Sequence, residues 1–226
     1  EFRLGVMLLV GVPLILFLRH WIATLGVEDT SDWRLALRAL WGAVFTVLSF
    51  LSTTGFESAD WQEARDWSGL GTPGLILLGL SLVGGGVATT AGGVKLLRVY
   101  ALYLHARRET ERLVHPSSVG RATGLGRRIR RQGAFIAWIF FMLFAMSLTF
   151  VTALLAFAGQ GFDSALILAI SGLSTTGPLI LTASDTPIRL LELSDAAKMI
   201  YAMAMVLGRL ETLALIALLN PSIWRD

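Results

Sequence analysis

Leu51-Ser52-Thr53-Thr54-Gly55 recurs residue for residue at Leu173-Ser174-Thr175-Thr176-Gly177, an offset of 122 positions (51 against 173). Each copy closes an apolar run: Ala39–Leu51 before the first, Ala165–Leu173 before the second. A bilayer core takes about 20 helical residues to cross. Runs of thirteen and nine fall short, so both are expected to be re-entrant helices ending in a polar turn. Outward from each copy the order is the same. Leu4–Leu18, extendable to Ile22 through Pro13, precedes the first, and Ala134–Ala158, free of charge, precedes the second. A longer apolar segment follows each copy, from Pro73 to Leu104 and from Ala196 to Leu219.

Composition agrees with a membrane setting. The chain is 54% hydrophobic and 15% charged, with a mean hydropathy of +0.67. Soluble domains carry about 25% charge. Cysteine is absent, which excludes disulfides and thiolate metal sites, and His20, His105 and His115 are too scattered to form a cluster. The net charge of +3 does not imply nucleic acid, because the arginines gather in one segment, from Arg107 to Arg131. By the positive-inside rule that segment is cytoplasmic. Four crossings put both termini on the same side, with Arg3 and Arg225. Most acids, including Glu28, Asp29, Asp32, Glu57, Asp60 and Glu63, fall on the other.

The expected fold is therefore an all-α membrane protein built from two parallel span–re-entrant pore loop–span repeats. It has about four transmembrane helices plus two short pore helices. One repeat covers 1–106, an arginine-rich linker 107–131, and the second repeat 132–226. The lipid bilayer is the first partner, and the setting is the cell (inner) membrane.

A hydroxyl-rich turn repeated at membrane depth suits a cation filter. Short helices point their carbonyl ends, with partial negative charge, toward the pore. Threonine and glycine carbonyls can then replace an ion's water shell. The filter candidates are Thr53, Thr54, Gly55 and Phe56 in one loop, and Ser174, Thr175, Thr176, Gly177 and Pro178 in the other. Hard monovalent cations, K⁺ or Na⁺ among them, suit such neutral oxygens, with no organic cofactor. No serine or aspartate stands beside a histidine within a span, so an intramembrane hydrolase is disfavoured.

The segment Gly84–Gly93 holds five glycines in ten residues and breaks an otherwise helical stretch. Val94 separates Gly93 from Lys95, so it is no phosphate loop. Small-residue helix packing is the plain alternative. A flexible gate is preferred, comprising Gly84, Gly85, Gly86, Ala88, Thr89, Thr90, Gly92, Gly93 and Lys95. Arg209 is a charge within the last span and a candidate pore-facing group. Glu211, two residues on, cannot share its face.

These residues together resemble potassium transporters of the Trk/Ktr/HKT superfamily, TrkH-like, over essentially the whole chain. The likeness is to the carboxy-terminal half. Thr53–Phe56 resembles the third filter segment, Gly84–Lys95 the glycine-rich stretch, Val114-His115-Pro116 the Ile-His-Pro that follows, Thr176-Gly177-Pro178 the fourth filter, and Leu207–Glu211 the GRLE of the last helix. The terminal Asn220–Arg225 is similar too. The resemblance implies K⁺ uptake through a four-repeat pore, an intramembrane gating loop beneath the filter, a homodimer, and a cytosolic nucleotide-binding regulatory subunit. Ala88 and Thr89 depart from the family's glycine and serine, implying a stiffer gate. Two loops cannot enclose an ion, so the pore needs amino-terminal repeats beyond this chain or a second copy. A non-conducting membrane scaffold or orphan transporter fragment is the competing reading.

Overall fold

The computed structural model describes residues 2–23, 33–61, 73–86, 89, 91–115, 124–184 and 187–210. Ala88, Thr90, Pro116, Glu211, the acids at 28–32 and 63–66, and everything beyond Leu210 lie outside them. Among the described residues all regular structure is helical. The elements are α1 (Phe2–Ala23), α2 (Trp33–Leu51), α3 (Pro73–Val83), α4 (Leu96–Val114), α5 (Gly124–Phe157), α6 (Phe162–Ser174), the single turn α7 (Leu179–Thr182) and α8 (Asp195–Leu210).

Helix α2 is longer than its apolar run because the chain is helical from Trp33. Arg34 and Arg38 sit on exposed positions of that added stretch. Among its buried positions Ala39, Ala43, Thr46, Val47 and Phe50 follow the 3.6-residue stripe of one helix face. Helix α6 extends from the expected Ala165–Leu173 to 13 residues, about 20 Å at 1.5 Å each, and stays too short to cross. Asp163 lies in its first turn, where the helix dipole favours an acid. From Ile167 to Ser174 every residue is buried, since α3, α5, α7 and α8 pack around it. Val47, Phe50, Leu77, Leu155, Leu168 and Leu179 belong to one core linking these helices.

Helix α5 contains Gly133–Phe157, the one helix among the described residues that is long and apolar enough to cross a membrane. Phe135, Trp138, Met142, Met146 and Phe150 form an exposed stripe along it. The arginine-rich segment is not an open loop: α4 runs to Val114 and α5 begins at Gly124. Arginine is a good helix former. Arg107–Glu111 (3.1 Å) and Arg112–Glu109 (3.0 Å) pair one turn apart. Both pairs are exposed, so each is worth only a few tenths of a kcal/mol.

Ser194 caps α8. Its Oγ accepts the Ala197 N–H at 3.3 Å and donates to the Ala158 carbonyl at 3.3 Å, tying the helix start to the end of α5. Ser194→Ala is expected to cost about 1 kcal/mol. Thermal unfolding of the detergent-solubilised variant reads this, and an unchanged melting point would show the cap to be idle.

Candidate functional site at the two helix ends

The two pentapeptides close their helices in the same way. Thr53 and Thr175 both have φ 58°, in the left-handed region. Thr53 N–H donates to the Phe50 carbonyl (3.1 Å), and Thr175 N–H to that of Gly172 (3.2 Å). Thr54 N–H reaches the Ser49 carbonyl (2.9 Å), and Thr176 N–H that of Ser171 (3.0 Å). This is the double closure that usually places glycine at the left-handed position. A β-branched threonine there costs about 1–3 kcal/mol. Hydroxyls stitch both loops alike: Ser52 and Thr54 share a 3.0 Å bond, and Ser174 donates to Thr176 at 3.1 Å. Strain held twice at matching positions marks these loops as more than turns.

The loops meet. A Cβ on Gly55 would lie 2.6 Å from Thr176 Cγ2 and 3.1 Å from Pro178 Cδ. Gly55 is buried with φ +84°, a conformation that glycine alone adopts freely. Beyond that contact the copies diverge. Gly177 is outside the left-handed region and a Cβ there would meet nothing within 4 Å. The Thr176 carbonyl accepts from Leu179 N–H (3.1 Å) and Ser171 Oγ (2.9 Å). The Gly177 carbonyl faces Ile180 N–H at 3.4 Å. Pro178, with φ −62°, starts the turn α7 that gathers these oxygens. Among the described residues, the carbonyls of Thr53, Thr54 and Gly55 accept no hydrogen bond. Phe56 and Thr54 are exposed beside them, while Ser174 and Thr176 are buried.

The glycine run lies against the second helix end. Helix α3 stops at Val83 and α4 starts at Leu96, two residues later than the expected Val94. Val94 N–H donates to Leu82 (3.0 Å) and Leu96 N–H to Gly85 (3.1 Å), so the segment is a loop pinched at its neck. Gly84, Gly93 and Lys95 have φ of 72°, 77° and 72°. Thr89 is exposed, with its Oγ1 donating to the Gly86 carbonyl at 2.6 Å. Gly85 and Gly92 are buried and Gly86 partly so. A Cβ on Gly92 would overlap the backbone carbonyl of Ser174. Gly93 N–H points at the Leu173 carbonyl, 3.5 Å away. A Cβ on Gly208 would likewise lie 2.7 Å from the Leu173 carbonyl carbon. The end of α6 is thus clasped by Gly92 and Gly208 together.

Charged groups ring this region. Lys95 is 9% exposed at the foot of the glycine loop. The Arg98 guanidinium sits 3.6 Å from the Phe140 ring centroid, a cation–π contact joining α4 to α5. Arg209 is exposed and directly follows Gly208. No cluster of acids or histidines fit for a metal occurs among the described residues. Sequence reasoning passed over Ser49, Ser171 and Tyr201, which touch the loops from behind. A signal was present: the repeat is Ser-x-Leu-Ser-Thr-Thr-Gly, two residues longer than the pentapeptide.

Comparisons place this arrangement among known proteins. Residues 5–224 match a family model described as TrkH, cation transport protein. The chain is 32% identical over 229 residues to the Trk system potassium uptake protein TrkH of Salmonella typhimurium, covering 100% of this chain and 44% of that protein. It is 32% identical over 208 residues to the Escherichia coli K12 protein of the same name, covering 91% and 41%. The crystal structure of the potassium transporter TrkH from Vibrio parahaemolyticus superposes with a TM-score of 0.74 at 28% identity, over 100% of this chain and 45% of that one. The chain spans less than half the length of these relatives.

Proposed function

The chain belongs to the TrkH family of cation transport proteins, and from that premise we propose that it supplies half of a potassium uptake pore. The family's work is membrane transport, not catalysis. The observation that carries the reading is the meeting of two identically closed helix ends, with the Thr53–Gly55 carbonyls unpartnered among the described residues. Bare carbonyl oxygens at helix C-termini are what a desolvated monovalent cation takes up. The two halves are pore repeats, 1–106 and 132–226, joined by the arginine-rich 107–131. The Thr53–Phe56 and Ser174–Pro178 loops form two quarters of a selectivity filter. The other quarters come from amino-terminal repeats outside this sequence.

Gly84–Lys95 gates the path beneath the filter, and its seat against Leu173 and Ser174 supports that role. Arg209, one residue from the clasp, adds a positive charge near the same path. The protein is a multi-pass protein of the inner membrane with the arginine-rich segment and termini in the cytoplasm. It works as a homodimer with a cytosolic nucleotide-binding regulator. A non-conducting scaffold leaves the two strained threonines and the free carbonyls without a purpose.

The test is ion flux through the complete protein in liposomes. Gly55→Ser is expected to lower K⁺ uptake relative to Na⁺ by about tenfold, the equivalent of about 1.4 kcal/mol lost at the K⁺ site. An unchanged K⁺/Na⁺ ratio would refute the filter assignment.

A further inference from the structure

Behind the second loop, hydroxyls line up on a carbonyl. Ser171 Oγ is 2.9 Å from the Thr176 carbonyl oxygen and 3.0 Å from the Tyr201 hydroxyl. A serine hydroxyl has one proton to donate. That carbonyl and the Gly177 carbonyl, 3.5 Å from the same Oγ, can only accept, so the proton goes to this pair, with Thr176 the nearer. Tyr201 must then donate to Ser171 Oγ. The chain runs from Tyr201 O–H to Ser171 Oγ, and from Ser171 O–H to the Thr176 carbonyl, each bond polarising the next. Ser171 and Thr176 are fully buried and Tyr201 is 4% exposed. The Tyr201 ring is seated against α6, with Cε2 3.4 Å from where a Cβ on Gly172 would stand.

The first loop has no counterpart. Ser49 occupies the position of Ser171 and is also buried, yet its Oγ has no hydrogen-bond partner. Two loops with the same backbone closure are therefore braced differently. One is tied to the last helix through a side-chain relay, and the other is not.

We propose that Tyr201, acting through Ser171, is a positioning residue for ion selectivity: it fixes the Thr176–Gly177 strand so that this side of the filter cannot close on a smaller ion. A carbonyl strand free to move can contract around Na⁺; a braced one keeps the spacing K⁺ needs. This rests on the reading of the two loops as a filter.

The experiment compares Tyr201→Phe, Ser171→Ala, Ser49→Ala and Gly55→Ser in the complete protein, measuring K⁺/Na⁺ flux ratios in liposomes and folded yield by size exclusion. Tyr201→Phe keeps the ring and removes only the donor. It is expected to lower the ratio about fivefold, the worth of one hydrogen bond. Ser171→Ala is expected to lower it at least as far. The Tyr201→Phe/Ser171→Ala double variant should be no worse than Ser171→Ala alone, because both cut one relay. Ser49→Ala is expected to leave the ratio unchanged. Lower yield or lower total flux at a wild-type ratio, for Tyr201→Phe or for Ser171→Ala, would reduce the relay to a structural role and overturn the proposal. If Gly55→Ser shifts the ratio and the relay variants do not, the brace is refuted and the filter stands. If none of them shifts it, both fall.

Discussion

Gly92→Ala is expected to destabilise the protein by about 3 kcal/mol, the upper part of the range for overpacking a filled site. The added methyl would overlap the backbone carbonyl of Ser174, and the Leu173 carbonyl oxygen lies 2.8 Å from the same point. Backbone at a helix end cannot rotate aside as a side chain does. Gly208 closes on the same Leu173 carbonyl and on that of Gly172, so the end of α6 is crowded by a second glycine as well. Gly79→Ala provides the contrast. It lies inside α3 with nothing within 4 Å of the added methyl, and alanine is the better helix former. The measurement is thermal unfolding of the two variants of the complete protein in detergent. A Gly92→Ala protein melting with the wild type would mean that the glycine loop does not rest on α6. A Gly79→Ala protein as damaged as Gly92→Ala would mean that glycine loss anywhere in this segment is harmful, and the clasp would lose its meaning.

The second large effect is a difference between the two loop glycines. Gly55→Ala is expected to impair both folding and selectivity, whereas Gly177→Ala is expected to leave folding intact. Gly55 combines φ +84° with a neighbour 2.6 Å from the new methyl. A left-handed alanine costs about 1 kcal/mol or more before any clash is counted. Thr176, the neighbour, is itself fully buried and held by Ser171 and Ser174, so it cannot move away cheaply. Gly177 has neither the conformation nor the crowding. Folded yield and K⁺/Na⁺ flux ratio, measured on both variants, decide the matter. Equal damage from both would restore the symmetry that the repeated pentapeptide suggests and contradict the divergence of the two loops.

That divergence gives the proposed pore a division of labour. Among the described residues, the first loop leaves its Thr53–Gly55 carbonyls unpartnered and the Ser49 hydroxyl unbonded. The second loop turns its Thr176 and Gly177 carbonyls back onto α7 and Ser171 and is tied to α8 by Tyr201. The glycine loop meets the second helix end, the braced one, at Leu173 and Ser174. Motion of the proposed gate therefore acts on the stiffer half of the site. The Arg98–Phe140 contact ties the segment after the glycine loop to α5.

Much of this was legible in the residues. The all-helical class followed from apolar runs too long and too uncharged for strands, and the family from a set of motifs spread along the chain. The shortness of α6, 13 residues, followed from the nine apolar residues between Phe162-Asp163 and the hydroxyl turn. The break at Gly84–Gly93 followed from glycine's poor helix propensity, and the helices do stop at Val83 and restart at Leu96. The start of α2 was missed by six residues, because Trp33–Arg38 carries charges that end an apolar run without ending a helix. The arginine-rich segment was read as a loop for the same reason, although arginine and glutamate one turn apart support a helix.

By itself, then, the sequence determined where the two hydroxyl turns fall, that each ends a helix, and that both require the same backbone reversal. These are local matters, set by hydropathy, helix propensity and the few conformations that close a helix end. Only the tertiary structure decided which carbonyls stay open, which serine finds a partner, and which glycines are irreplaceable. Those depend on Tyr201 lying 30 residues from Ser171, Gly92 and Gly208 closing on Leu173 from the glycine loop and from α8, and Thr176 pressing on Gly55 across 121 residues. Identical pentapeptides become unequal because a hydrogen bond or a steric contact needs two partners, and the second partner is supplied by a part of the chain that the repeat does not contain.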